Sequence, residues 1–184
     1  MKLAIVVGHN ARAQGAVRPD TGETEFVWNT DLARIIEDEA AHFDEITVKT
    51  FFREAGLGYS REIRDVYART DRWGADATCE LHFNSHHTAN ATGTETLSSG
   101  SALSLAFAMA LQERMLDALG LKDRGEKIVR KGRGAASLIS GRAPAALIEP
   151  FFGSSPEGQA ATDEAHEKRV LARAILLAAQ DAFL

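Results

Sequence analysis

The feature that most constrains this chain is its opening stretch, residues 2–10, which reads Lys-Leu-Ala-Ile-Val-Val-Gly-His-Asn. Residues 3–7 form an unbroken apolar run rich in β-branched side chains, and Gly8 ends it. Such a run has no face to give to water. It fits a strand covered on both sides, as found inside a parallel sheet with helices above and below. The residue just past the break is His9. In open parallel sheets ligands gather beyond the carboxyl ends of the strands, so His9 is the first residue to test for chemistry.

The rest of the chain supplies the other layers. Residues 23–43 carry Trp28, Leu32, Ile35 and Ile36 on one helical face. Glu23 and Glu25 fall in the first turn, where carboxylates suit the helix dipole. Residues 45–52 alternate as a second strand. A helix is expected over residues 60–73 with Ser60 as its N-cap, a third strand over 77–83, and a short strand over 94–97. A helix over 101–119 is stopped by Gly120. Residues 122–134 read as a basic, glycine-containing connection, 136–139 as a short strand, and 145–149 as a core strand closed by Pro150. A last helix begins near Ser155 or Thr162. Strands alternating with helices place the chain in the α/β class: a single domain over residues 1–184, with a twisted, mostly parallel sheet and helices on both faces.

Composition excludes several partners. A net charge of −5 lacks the basic excess of a general nucleic-acid binder. The one cysteine, Cys79, allows no intrachain disulfide, and its apolar strand setting reads as a buried, inert thiol. No apolar run is long enough to span a bilayer, so no stable membrane association is expected. The opening strand does not resemble a secretory signal. The expectation is a protein made in the cytoplasm, with no segment before its catalytic domain and no appended binding module.

Three expected strands end on residues able to do chemistry: His9, His82 and Glu149. Glu25 opens the helix after the first strand, and such helix starts face the same sheet edge. Two histidines and a carboxylate are a known ligand set for a catalytic zinc that keeps one position for water, whose pKa the metal lowers to ~7. A further carboxylate would move the proton. Glu149 suits that part, because the apolar residues before it imply poor solvation and a raised pKa. Each residue also has a plainer reading: His9 as a loop cap, Glu25 as a dipole partner, His82 as a core histidine, Glu149 as a solvent-facing strand end. The spacing of sixteen positions from His9 to Glu25 matches no short zinc-protease motif.

In its motifs the chain resembles the zinc-dependent N-acetylmuramoyl-L-alanine amidases of the Amidase_3 type. The residues that carry the resemblance are Ile5-Val6-Val7-Gly8-His9, Glu25 with Asn29, an Arg-bearing helix with Arg64 or Arg69, Ala75-Asp76, Leu81-His82-Phe83-Asn84, Gly93-Thr94-Glu95, and Ala146-Leu147-Ile148-Glu149 followed by Pro150-Phe151-Phe152. The resemblance implies that His9, Glu25 and His82 bind one Zn2+ and that Glu149 is the catalytic acid/base. It implies hydrolysis of the amide between the lactyl group of muramic acid and L-alanine in peptidoglycan; a compact chain of this type resembles a bacteriophage endolysin released to the wall, with a host enzyme that is exported by an unusual route or recycles wall fragments inside the cell as the alternative setting. Another zinc peptidase or deacylase, or a silent wall-binding domain of the same fold, is the alternative.

Three departures from the family pattern stand out. Glu80 replaces a small polar residue two before His82 and shares its strand face. It either orients a ligand or faces solvent at an edge, the second being the more ordinary expectation. Pro150 replaces a small residue, and the loop 10–22 lacks a double-glycine start. Asn84 and Glu95 are expected to support or position substrate. His86 and His87 read as loop residues at the cleft rim, and Lys127, Arg130, Lys131 and Arg133 as a solvated basic loop open to substrate carboxylates.

Overall fold

The computed structural model describes residues 1–184. The elements in chain order are β1 (Lys2–Val7), α1 (Glu25–Ala40), β2 (Thr47–Phe52), α2 (Tyr59–Trp73), β3 (Ala77–Leu81), β4 (Thr94–Ser98), α3 (Ala102–Leu119), β5 (Asp123–Ile128), α4 (Ala135–Ile139), β6 (Ala145–Glu149), α5 (Pro156–Ala160) and α6 (Ala165–Phe183). One six-stranded sheet has the order β2-β1-β3-β6-β4-β5. Every neighbouring pair is parallel except β4 with β6. The expected class, a mostly parallel α/β sheet, is the one observed.

The opening stretch is buried on both faces, as its lack of alternation requires. Leu3, Ile5 and Val7 join the larger core with Trp28, Leu32, Phe107, Leu111, Leu171 and Ile175, from α1, α3 and α6. Ala4 and Val6 face the other way, onto Ile63, Val66 and Tyr67 of α2. The sheet carries helices on both sides because β1 has apolar residues to offer both.

Two local devices bring α1 to the carboxyl edge of the sheet. Thr24 caps it, its Oγ1 accepting from the Val27 N–H at 3.3 Å. Trp28, one turn in, packs edge-on against Phe151 at 4.8 Å and Phe83 at 6.1 Å, the residues just past β6 and β3. The loop before α1 is pinned by the buried Arg18, which donates to Asp20, to the carbonyls of Gln159 and Thr162, and to the Thr162 hydroxyl.

Four local expectations are corrected. Residues 136–139 form helix α4, not a strand: left-handed Gly134 turns the chain into a short helix, whose Leu138 packs on Ala145 and Leu147 of β6. The supposed connection 122–134 begins with edge strand β5, which shows no apolar alternation because its residues 123–127 are all charged apart from Gly125, as suits an edge exposed to water. Helix α2 begins at Tyr59 after Gly58, so Ser60 is not its cap, and no side chain caps it. The last helix is two, α5 capped by Ser155 and α6 opened by a capping box of Glu164 and Glu167.

Trp28→Ala is expected to cost about 3–5 kcal/mol, read as a lower urea midpoint at unchanged m-value; a loss below about 1 kcal/mol would show that the aromatic clamp does not seat α1.

Candidate active site

The parallel ladder continues past the strand ends and sets the rim of the site. The Gly8 N–H donates to the Leu81 carbonyl at 3.0 Å, and the His82 N–H to the Ile148 carbonyl at 3.1 Å. His9, the next residue, takes a positive φ of 66°, rare for a side-chain-bearing residue, and turns back over the sheet edge. Its ring meets that of His82 edge-on at 5.1 Å. Glu25, in the first turn of α1, closes the triangle. Its Oε1 lies 2.7 Å from His82 Nδ1 and accepts from the Phe83 N–H at 3.3 Å. Its Oε2 accepts from the Ala16 N–H at 3.1 Å and lies 3.0 Å from His9 Nε2.

This cluster fits a metal ion. One donor atom from each of His9, Glu25 and His82 lies within 4.8 Å of the other two. His9 Nε2 is buried and, despite its nearness to Glu25, makes no hydrogen bond. Two glycines clear the space. A Cβ at Gly8 would stand 2.4 Å from the His82 ring, and one at Gly15 would stand 2.5 Å from Glu25 Oε2 and 2.8 Å from the His9 ring. Two imidazoles and a carboxylate are ligands of the type that zinc accepts, with a fourth position left open.

Glu80 is not at a solvent edge. The expectation fails because β3 lies inside the sheet, between β1 and β6, and α2 covers that face. The Glu80 side chain is buried, with Oε1 2.9 Å from His82 Nε2, and the Tyr67 hydroxyl donates to Oε2 at 2.7 Å. His82 is therefore gripped at both ring nitrogens. Burial alone would lower its pKa, but hydrogen bonds to Glu25 and Glu80 overcome that and push it up to about 10. Burial works to raise Glu25, yet the two imidazoles outweigh it and hold the carboxyl well below its usual range.

Glu149 ends β6 in the same cleft, and its Oε2 is buried without a partner. Burial raises its carboxyl, partly opposed by the charge of His82 and reinforced by Glu25, to about 7. Glu95 stands directly across from it in the antiparallel β4–β6 register. Glu95 accepts from Asn84 Nδ2 at 3.0 Å, from Arg124 Nε at 2.7 Å and from Lys127 Nζ. Two basic residues of β5 thus serve Glu95, so the basic segment is not wholly a solvated loop. His86 and His87 are exposed and stack on each other outside the cluster.

The cleft has a volume of about 560 Å³. Its walls include residues to which sequence reasoning assigned no function: Arg53 after β2, Tyr59 at the start of α2, and Ser137 of α4. Arg53 carried a signal, a cation at the carboxyl end of a strand beside β1, but it belonged to none of the quoted motifs.

The sequence profile of the Amidase_3 family, described as N-acetylmuramoyl-L-alanine amidase, matches residues 3–181. No curated protein sequence matches this chain. Among solved structures, the catalytic domain of CwlV, an N-acetylmuramoyl-L-alanine amidase from Bacillus (Paenibacillus) polymyxa var. colistinus, is similar at 22% identity and a TM-score of 0.81, over 98% of this chain and 97% of that one. An N-acetylmuramoyl-L-alanine amidase from Clostridium difficile 630 gives 20% and 0.83, over 97% and 94%. The catalytic domain of an endolysin targeting Clostridia difficile gives 22% and 0.83, over 100% and 99%. At these identities the structures speak for the fold. No helix of the chain is long and apolar enough to cross a membrane.

Gly8→Ala is expected to displace the His82 ring and weaken zinc binding about 10- to 100-fold, as other disturbances around first ligands do. Competition with a fluorescent chelator reads this, and unchanged affinity would show that the Gly8 gap is not part of the cradle.

Proposed function

The chain belongs to the N-acetylmuramoyl-L-alanine amidase family, and from that membership we propose that it is a zinc-dependent hydrolase of the bond between the lactyl group of muramic acid and L-alanine in peptidoglycan. The observation that carries the proposal is the convergence of His9, Glu25 and His82 on one point, with the unpartnered Glu149 carboxylate in the same cleft. His9, Glu25 and His82 would hold the ion. When bound, zinc supplies a Lewis acid that polarises the scissile carbonyl and makes water nucleophilic near neutral pH.

This chain's residues do the rest. Glu149 takes a proton from the attacking water at its free Oε2 and delivers it to the departing alanine nitrogen. Its raised carboxyl suits both halves of that transfer, since it is neither so acidic that it will not accept the proton nor so basic that it will not release it. Glu80 faces His82 Nε2 and Glu25 faces Nδ1, so with a metal bound Glu80 would accept from Nε2–H and keep Nδ1 as the ligand atom, which makes it a positioning residue. Glu95 and Asn84 form a fixed polar floor opposite Glu149, suited to substrate positioning. The similar endolysin catalytic domain supports a setting in which the protein acts on the cell wall.

Purified protein is expected to release new L-alanine N-termini from peptidoglycan and to lose this activity on chelation, regaining it with zinc. New reducing ends instead would identify a glycosidase and overturn the proposal.

Glu149→Gln is expected to lower turnover by about 10²–10⁴-fold with the zinc content unchanged. Turnover within a few-fold of the parent would remove Glu149 from the proton path.

Glu80→Gln keeps the size of the side chain but weakens its hold on His82, and it is expected to lower zinc affinity about 10- to 100-fold. Calorimetric zinc titration checks this, and an unaltered affinity would return Glu80 to a purely structural role.

A further inference from the structure

Arg53 is the first residue after β2, at the same sheet edge as His9. Its side chain is more than nine-tenths buried and yet lines the cleft. Its guanidinium lies 5.1 Å over the ring of Tyr59, itself half exposed. Of five N–H donors, the protein uses one: Nη2 donates to Glu62 Oε2 at 3.3 Å. Nε is buried with no partner at all.

Glu62 is the buried ion-pair partner of Arg53, and it meets the guanidinium through this one contact only. Its carboxylate is already shared with Asn10 Nδ2 at 2.9 Å, the Gly56 N–H at 2.9 Å and the Leu57 N–H at 3.3 Å. Asn10 follows His9 directly, so the network that fixes Arg53 also fixes the loop that carries a candidate metal ligand. The guanidinium is thus pre-positioned by one edge contact and one stacking face, with donors left over. A planar fork with free donors is the group that recognises carboxylates best. The remaining cleft wall presents three carboxylates, Glu80, Glu95 and Glu149, against one further cation, Arg133, so an anionic substrate group needs a cation to meet it.

We infer that Arg53, stacked on Tyr59, is a specificity-determining subsite for a free carboxylate on the peptide stem of the substrate. This inference rests on the amidase reading above. The stem residue after L-alanine is a γ-linked D-glutamate whose α-carboxyl is either free or amidated. The subsite favours the free acid, because the amide offers the guanidinium no charge and only one acceptor oxygen.

Two measurements test it. Steady-state cleavage of muramyl peptides carrying isoglutamate or isoglutamine is compared in the parent, Arg53→Gln, Arg53→Lys and Tyr59→Ala. The parent prefers the free acid. Arg53→Gln raises KM for that substrate about 10- to 100-fold, leaves kcat within a few-fold and abolishes the preference. Arg53→Lys restores part of it, and Tyr59→Ala, a surface change that leaves the fold intact, raises KM less. Equal handling of both substrates by the parent, or a matched loss on both in Arg53→Gln, overturns the inference. Calorimetric binding of the dipeptide L-alanyl-D-isoglutamate to zinc-loaded protein needs no turnover. Binding that Arg53→Gln and Tyr59→Ala both weaken sustains the subsite even if neither muramyl peptide is cleaved, which would fault the amidase reading alone. Cleavage without Arg53-dependent binding does the reverse.

Discussion

The structure depends on where one carboxylate lies. Glu25 is buried at the start of α1, and a buried carboxylate is tolerated only when its oxygens are occupied. Here they touch four groups on three pieces of chain: the His82 ring and the Phe83 N–H past β3, the Ala16 N–H in the loop, and the His9 ring past β1. The ends of β1 and β3, the loop before α1 and α1 itself therefore cannot move independently. The Thr24 cap and the Trp28 clamp bring the helix start to the rim, and the ladder bonds of Gly8 and His82 bring the rim to the helix.

What could be read from the chain alone follows from how each feature is encoded. Residues 3–7 announce a doubly covered strand because every side chain is apolar, and His9, His82 and Glu149 announce a shared edge because strand ends in a parallel sheet lie together. β5 carries no strand signal because most of its residues are charged, and Arg124 and Lys127 find their reason only in the contact with Glu95. α4 was mistaken for a strand because five residues are too few to display a helical period. Glu80 was misplaced for a different reason: alternation gives its face, but only the strand order and the packing of α2 tell whether that face is wet. Arg53 is not marked in the sequence because its meaning lies in Glu62 and Tyr59, which belong to α2 and are separated from Arg53 along the chain by a loop.

The four glutamates of the cleft show how one fold gives identical side chains different work. Glu25 sits against two imidazoles, Glu80 against His82 and the Tyr67 hydroxyl, and Glu95 between Arg124 and Lys127. In each case the partners outweigh burial and keep the carboxyl low. Glu149 has neither a hydrogen-bond donor on Oε2 nor a cation in contact, so burial wins and its carboxyl alone rises. A group that is to carry a proton must be the one whose two states lie close in energy, and the others must not compete for the proton. The proposed mechanism thus needs no special property of Glu149 beyond what its neighbours withhold. Supplying Glu149 with a partner such as those of Glu95 would lower its carboxyl and, under this mechanism, remove the base's affinity for the proton while leaving the metal cluster in place.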